Sequence, residues 1–510
     1  MIDAATDDNI FIGRTVEATY HVPAVPSHRG NPLIEALPPI MEDEGEIAVA
    51  LSNRIRFDKE LLSISARLRL YELDLLRQFW MPDQEHVVLE GRISGMIRSG
   101  YRNRNPVDVE KWYELKEVAK GKLALPPQAS CPGGMPSARE VVQAHATGMA
   151  IEGVSGVGKT TSVKRVLSLY PQVIVHSDEH RRMPTAKQIV WLMITCPGDG
   201  GAVGLTRAII RAFDAVLETN HLDGFMKKRA SAETMRAAAV SLAHLHALGV
   251  LVIDEIQILN RSKSDNVEGI KNFLLVLMNE LQVPVVVIGS TGTAEFLASD
   301  MHTGRRFSGG GYFRMERLTR GEELELFVRR IWGSSLLREH PKWSELPDDS
   351  RLAILEAVWL MTAGVHDLVV KAFVLAQNHA LERGHEALTP QIFQAVYERD
   401  FRPLHAVLEG LRGGRAVDEV EWDRVRRAFF AGDTSDRMVA SGPAVTETTT
   451  AVRRETAPPA KRVRKRKPSP PHRQHAEDPE AIIRDRTAAL EAEGLLGRPV
   501  TGPGGDFDAG

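Results

Sequence analysis

Cysteine is nearly missing from this chain: its 510 residues hold two, Cys131 and Cys196. Two thiols cannot build a disulfide framework or a Cys-type zinc site, and their scarcity suits a reducing, cytoplasmic setting. Long apolar runs are missing too. None approaches the ~18 residues of a membrane span, so no membrane partner is expected. The start, Met1-Ile2-Asp3-Ala4-Ala5-Thr6-Asp7-Asp8, is acidic and lacks the basic–apolar signature of a secretory signal. Net charge is only −3, which argues against general nucleic-acid binding while concealing strong local patches. What the chain does have is 43% hydrophobic residues, enough for real cores, over a length that suits about three units.

Against that background one stretch stands out. Gly153-Val154-Ser155-Gly156-Val157-Gly158-Lys159-Thr160 fits the phosphate-binding pattern G-x-x-x-x-G-K-[ST]. The apolar run Gly148-Met149-Ala150-Ile151 leads in, and Thr161 to Leu169 reads as a helix leading out. Glycines let backbone N–H groups close around phosphates, and the helix N-terminus adds its positive end. Gly153, Ser155, Gly156, Gly158, Lys159, Thr160 and Thr161 are the expected ATP contacts. Lys159 is expected to reach the β/γ-phosphates, and the Thr160 hydroxyl to hold Mg²⁺.

The organisation follows from pattern shifts. Residues 1–45 hold several prolines and little periodicity and read as an extended arm with one apolar knot, Asn31 to Pro39. Residues 46–137 read as mostly helical, with Leu61, Leu62, Ile64, Leu68, Leu70, Leu73 and Leu76 at three- and four-residue spacings. Within them Arg92 to Pro106 is basic, either a solvated face or a phosphate contact. Residues 138–318 alternate apolar strands with amphipathic helices, the signature of a parallel α/β sheet. Strands are expected at 148–153, 172–176, 188–196, 250–255, 284–290 and 312–318, and helices near 159–169, 204–218, 231–248, 265–281 and 292–300. From 319 to 413 the pattern is that of a helical lid. Residues 414–510 read as a largely disordered tail. There residues 451–475 carry nine Lys or Arg against one Glu, and residues 476–510 carry eight acids against three Arg. A short helix at 479–493 follows from Asp478 as cap, Pro479 at N1 and Gly494 beyond the end.

The second half of an ATP site is Leu251-Val252-Ile253-Asp254-Glu255, a buried strand ending in two acids. Asp254 is expected to hold the Mg²⁺ shell, and Glu255 to orient and deprotonate the attacking water. Ser290, after the next strand, is expected beside the γ-phosphate. Arg305 and Arg306 precede a glycine-rich stretch and suit a finger offered to a neighbouring subunit's ATP. Lys227, Lys228 and Arg229, read as a loop between two helices, are candidates for DNA backbone contact, with Arg181, Arg182 and Lys187 behind them. His244 and His246 lie two apart on a helix and make no metal pair.

The chain also resembles a known family. The phosphate loop, Tyr170-Pro171-Gln172-Val173-Ile174 and Ala247 to Gln257 are together similar to TnsC, the AAA+ regulator ATPase of heteromeric TnsA/TnsB transposons. So are Asn31 to Pro39, Ile97 to Tyr101 with Arg104-Asn105-Pro106, Arg305-Arg306, Asp367 to Lys371 and Phe373 to Gln377. The resemblance spans roughly residues 30–410. It implies an AAA+ P-loop core of α/β class with a parallel sheet, a helical lid, a helical N-terminal region and a disordered C-terminal tail. It further implies ATP-dependent assembly as a ring or filament on target duplex DNA, related by role to MuB and TniB. The partners would be a TnsD/TniQ-type target selector and the TnsA and TnsB transposase subunits, the tail reaching the latter. One departure is visible. Many AAA+ lids carry Gly-x-x-Arg, whereas Gly364-Val365-His366-Asp367 ends in an acid, leaving Lys371 one turn later as a substitute. An initiator- or loader-type ATPase of replication, or a signalling NTPase that assembles without DNA, are the alternative readings.

Overall fold

The computed structural model describes residues 10–107, 147–177, 187–198, 201–258, 282–297 and 301–414, with 271, 274–276 and 278. The expected helix at 265–281 lies largely outside these residues, and the tail beyond 414 and Arg181-Arg182 wholly so.

A five-stranded sheet forms the centre. Its strands are β2 (Gly148–Gly153), β5 (Trp191–Thr195), β6 (Val250–Asp254), β7 (Val285–Gly289) and β8 (Tyr312–Met315), in the order β5-β6-β7-β2-β8. Every pairing in it is parallel. The near-continuous apolar runs of β2, β6 and β7 have the physical cause expected of a parallel sheet, since all three strands are buried along their whole length. The helices Ala202–Leu217 and Ala232–Leu245 pack together on one face, with Leu205, Ile209 and Phe213 fully buried. The opposite face is covered by the helices Lys159–Ser168 and Gln84–Arg102.

Three expectations need correction here. The single strand at 188–196 is two, β4 (Lys187–Ile189) and β5, parted at Val190. Beside β4, in a separate small sheet, lie β3 (Val173–Val175) and β1 (Thr15–Glu17). The break exists because the amide of Val190 donates to the carbonyl of Gln172 at 2.8 Å, turning the chain from one sheet into the other. The N-terminal arm is accordingly woven in rather than merely extended. β1 runs parallel to β3, Phe11 stacks on Trp191 at 5.1 Å, and the Gly13 amide donates to Gln172 Oε1 at 2.6 Å. Its apolar knot is a one-turn helix, Pro32–Glu35. Asn31 caps it through Oδ1 and donates from Nδ2 to the Tyr101 carbonyl at 2.8 Å.

The third correction concerns the basic stretch 92–106. Arg98 and Arg104 are buried, 3% and 2% exposed, and so belong neither to a solvated face nor to a phosphate site. Arg98 donates to Ser94 Oγ at 2.6 Å and to the Pro38 carbonyl at 2.7 Å, tying the arm to the helix Gln84–Arg102. Asp83 starts that helix with a reciprocal capping box to His86.

The lid holds the helices Glu322–Trp332, Asp348–Thr362, His366–Arg383, Pro390–Asp400 and His405–Arg412 around an aromatic core of Trp332, Phe373 and Phe393. Leu73, Leu76 and Phe79, from the segment before residue 83, complete that core. Arg69, fully buried, binds Glu386 through two nitrogens at 2.9 and 2.7 Å. The Arg69 guanidinium holds the Glu386 carboxyl down at about 2. Among the described residues no single helix is long and apolar enough to cross a membrane.

Candidate functional site: a phosphate loop and the acidic end of a neighbouring strand

The loop 153–160 leaves β2 at its carboxyl end and enters the helix Lys159–Ser168 directly. Gly156 and Gly158 make this turn possible: their φ values of +85° and +100° lie in the left-handed region. Gly158 is also the helix N-cap residue, so no side chain closes the helix's amino end. Ser155 and Thr161 are exposed, whereas Val157 is fully buried and anchors the loop in the core. Lys159 curls back over the loop, its Nζ donating to the carbonyls of Gly153 at 2.9 Å and Val154 at 3.1 Å.

Thr160 faces the second motif. Its hydroxyl donates to Asp254 Oδ2 at 2.8 Å, across 94 residues of sequence. The sheet order explains the meeting: β7 alone separates β6 from β2, so both motifs emerge at the same edge. Burial pushes the Asp254 carboxyl above its ordinary range, opposed by the hydrogen bonds from Thr160 and the Glu255 amide and by the Lys159 charge. A hydroxyl and a carboxylate converging here are hard oxygen donors of the kind Mg²⁺ takes alongside substrate phosphates. A cation beside a carboxylate strained by burial also favours its ionised form. Thr160 and Asp254 therefore fit the metal.

Glu255 takes a left-handed φ of +57°, uncommon for a residue with a side chain, and its amide donates to Asp254 Oδ1 at 2.9 Å. The two acids take different partners: Asp254 accepts from the Thr160 hydroxyl and Glu255 from the Gln257 side-chain amide. Gln257 then bridges the site: its Nε2 donates to Glu255 Oε2, and its Oε1 accepts from the Ser290 amide at 3.0 Å. Ser290 thus stands linked to Glu255 through one amide side chain. Gln257 enters the sequence only as the last residue of the segment similar to TnsC, two residues after the acidic pair, with no motif that assigns it a role.

The lid and the N-terminal region also reach the loop. The Asp367 amide donates to the Gly156 carbonyl at 3.0 Å, and the Asp367 carboxylate holds Lys371 Nζ at 2.5 Å. Trp80 lies against Gly158 so closely that a Cβ there would sit 2.6 Å from its ring. Its backbone is fixed by reciprocal 2.9 Å bonds with Asn53, and the Arg165 guanidinium lies 5.8 Å from its ring centre. Three buried ring nitrogens around this corner, Trp80 Nε1, His86 Nε2 and His366 Nδ1, have no hydrogen-bond partner. Burial holds His366 down at about 4, hence neutral at pH 7. No motif marks Trp80; a tryptophan between two helices carries no spacing signal.

Two groups of expected residues stand elsewhere. Arg305 and Arg306 come after the helix Thr293–Leu297 and occupy the last turn of a second one, Met301–Phe307. Phe307 packs against Gly148, at the opposite end of β2 from the loop and about 16 Å away by strand rise. They are thus remote from their own chain's phosphate loop. Lys227 ends a short helix, His221–Lys227, and Lys228 is its C-cap, so the expected loop is a helix terminus. The Asp214 carboxylate makes the helix start here, accepting from the His221 and Leu222 amides at 2.8 Å each. Lys227, Lys228 and Arg229 are exposed, and Lys187 begins β4.

A parallel sheet with a phosphate loop after one strand and paired acids ending the next but one defines a P-loop nucleotide-binding fold. Residues 142–297 match the family model described as an AAA domain, and the chain carries the AAA+ form of that fold. No curated protein matches its sequence. Among solved structures, Aeropyrum pernix ORC2 in its ADPNP–ADP complexes is 15% identical, covers 50% of this chain and 62% of its own, and gives a TM-score of 0.35. The chain thus spans less than two thirds of that protein's length. Cdc6p from Pyrobaculum aerophilum is 13% identical over 56% of this chain and 65% of its own, at TM-score 0.34. The Thermotoga maritima RuvB Holliday junction branch migration motor is 14% identical over 57% and 67%, at 0.30. These likenesses speak to neither substrate nor partner.

Proposed function

We propose that this protein is an ATPase that assembles on target duplex DNA and acts as a TnsC-type transposition regulator. It would link a TnsD/TniQ-type selector to the TnsA–TnsB transposase. The observation that carries the ATPase reading is the 2.8 Å bond from Thr160 to Asp254, which brings the phosphate loop and the acidic strand into one site. In this reading the loop amides and Lys159 bind the phosphates, with Lys159 exchanging its loop carbonyls for phosphate oxygens. Glu255, steadied by Gln257, accepts the proton of the attacking water. Mg²⁺ held by Thr160 and Asp254 would neutralise charge on the β- and γ-phosphates. Trp80, His86 and His366 would meet the base, their buried nitrogens supplying polar contacts to its edge. The remoteness of Arg305 and Arg306 from their own loop favours a finger acting on a neighbouring protomer. The transposition part rests on the TnsC resemblance over residues 30–410.

Electron microscopy with duplex DNA and a slowly hydrolysed ATP analogue tests the reading. Rings or filaments that need both ligands support it, and Lys159→Ala should lose them. Assembly equally good without DNA points to a signalling NTPase, and no assembly under any condition removes the shared active site. Glu255→Gln should assemble yet hydrolyse at least about 10²-fold more slowly, the loss expected of a missing general base.

A further inference from the structure

Between the segment 54–56 and the first lid helix, four arginines surround one groove. It has a volume of about 380 Å³ and is bordered by Arg54 and Arg56 on one side and by Arg329 and Arg330 on the other. The walls are fixed. Ser334 Oγ donates to the Ile55 carbonyl at 2.7 Å, and Gln377 Nε2 donates to the Ser334 carbonyl at 3.0 Å. Ile55 packs on the lid core between the two arginines of its segment. Leu326, 46% exposed, supplies an apolar patch between the charges.

Several exposed arginines elsewhere sit beside acids, as in Arg77–Asp74, Arg320–Glu356 and Arg399–Asp400. None of the four groove arginines has a carboxylate within ion-pairing distance among the described residues, and no acid lines the groove. The acids of the same helix, Glu322, Glu323 and Glu325, lie in its first turn, and Glu323 is engaged by the Thr319 amide and hydroxyl. Four like charges kept together oppose one another, so the arrangement gains by taking an anion.

We propose that this groove binds the phosphate backbone of nucleic acid, a contact additional to Lys227–Arg229 and resting on the DNA-binding reading above. Arginine's planar fork suits phosphate oxygens, and four exposed cations spread along an open groove fit a polyanion better than one enclosed phosphate. Duplex DNA, with one charge per ~1.7 Å, supplies the density to engage all four. Leu326 gives the sugar face an apolar contact.

The test uses the full chain with ATP analogue and a labelled duplex, following affinity across a salt series. Each double variant, Arg54→Ala/Arg56→Ala and Arg329→Ala/Arg330→Ala, should lower the slope of log K against log salt by about 1.8. Affinity should fall about tenfold at low salt, while nucleotide binding and thermal unfolding stay at wild-type values. Arg77→Ala, a control at a paired arginine, should change neither. Wild-type binding with an unchanged slope in both double variants overturns the groove and leaves the DNA-binding reading standing. Wild-type protein that binds no DNA overturns both. Variants that keep DNA affinity but lose a polyglutamate peptide would reassign the groove to acidic protein segments and end the proposal.

Discussion

The phosphate loop and the lid core are built on opposite principles. The loop is a polar construction: two left-handed glycines, a lysine folded on carbonyls and a hydroxyl–carboxylate pair hold it, with Val157 as its single fully buried anchor. The lid is an apolar construction, with Trp332, Phe373, Phe393 and Phe401 almost wholly out of water and the Arg69–Glu386 ion pair, its arginine buried and its glutamate partly exposed, at its edge. A polar loop can exchange its internal partners for a ligand's at little cost, because each lost hydrogen bond is replaced. An apolar core has no such exchange available; its geometry persists whether or not a ligand is present. The lid can therefore serve as a fixed body that transmits the state of the loop, through the backbone bond from Asp367 to Gly156 and the packing of Val154 on the lid core.

The comparison can be broken most forcefully at the ion pair. Arg69→Ala removes the bidentate partner of Glu386, 24% exposed, leaving it only Arg338, and opens a hole against the Leu336 carbonyl. Stability should fall by about 3 kcal/mol, the low end for breaking a buried pair because Glu386 can still reach water. Urea unfolding reads this directly, and an unchanged midpoint would mean the lid does not depend on the pair.

A smaller effect, confined to the loop side, is expected at Gln257. Replacing it with alanine frees Glu255 from its tether to Ser290, so kcat should drop roughly tenfold, about 1.4 kcal/mol in barrier. Nucleotide affinity and unfolding should stay put. A loss of binding instead of turnover would assign Gln257 to holding the nucleotide rather than the acid.

The smallest effect is a pH dependence. Glu386 is held at about 2, below its ordinary 4.5, so the pair's contribution is complete above 4.5 and is lost as pH falls from 4.5 toward 2. The stability gap between wild type and Arg69→Ala should narrow over that window. A gap that stays constant would show that the arginine acts through packing alone.

How much of this was legible beforehand depended on whether a feature was local. Gly153 to Thr160 and Leu251 to Glu255 could be read because glycines with Lys-Thr, and apolar residues ending in acids, are patterns within a few residues of one another. The lid helices could be read for the same reason, since their periodicity is internal. Arg98 and Arg104 could not: a basic stretch looks solvated until the arm wraps over it and the Pro38 carbonyl takes the guanidinium. The split of the 188–196 strand was equally hidden, because it depends on the Val190 amide donating to the carbonyl of Gln172, 18 residues away in the chain.

The amino-acid order alone settles the identity of the local machinery, which is a phosphate loop, an acidic strand end and their spacing in the chain. Short-range sterics and hydrogen-bonding chemistry suffice for that. Tertiary structure decides which distant side chains are added to it: Trp80 over Gly158, Gln257 between Glu255 and Ser290, Asp367 on Gly156, and four arginines gathered from residues 54–56 and 329–330. Those meetings are set by burial of apolar faces scattered over hundreds of residues. No window of sequence contains both partners.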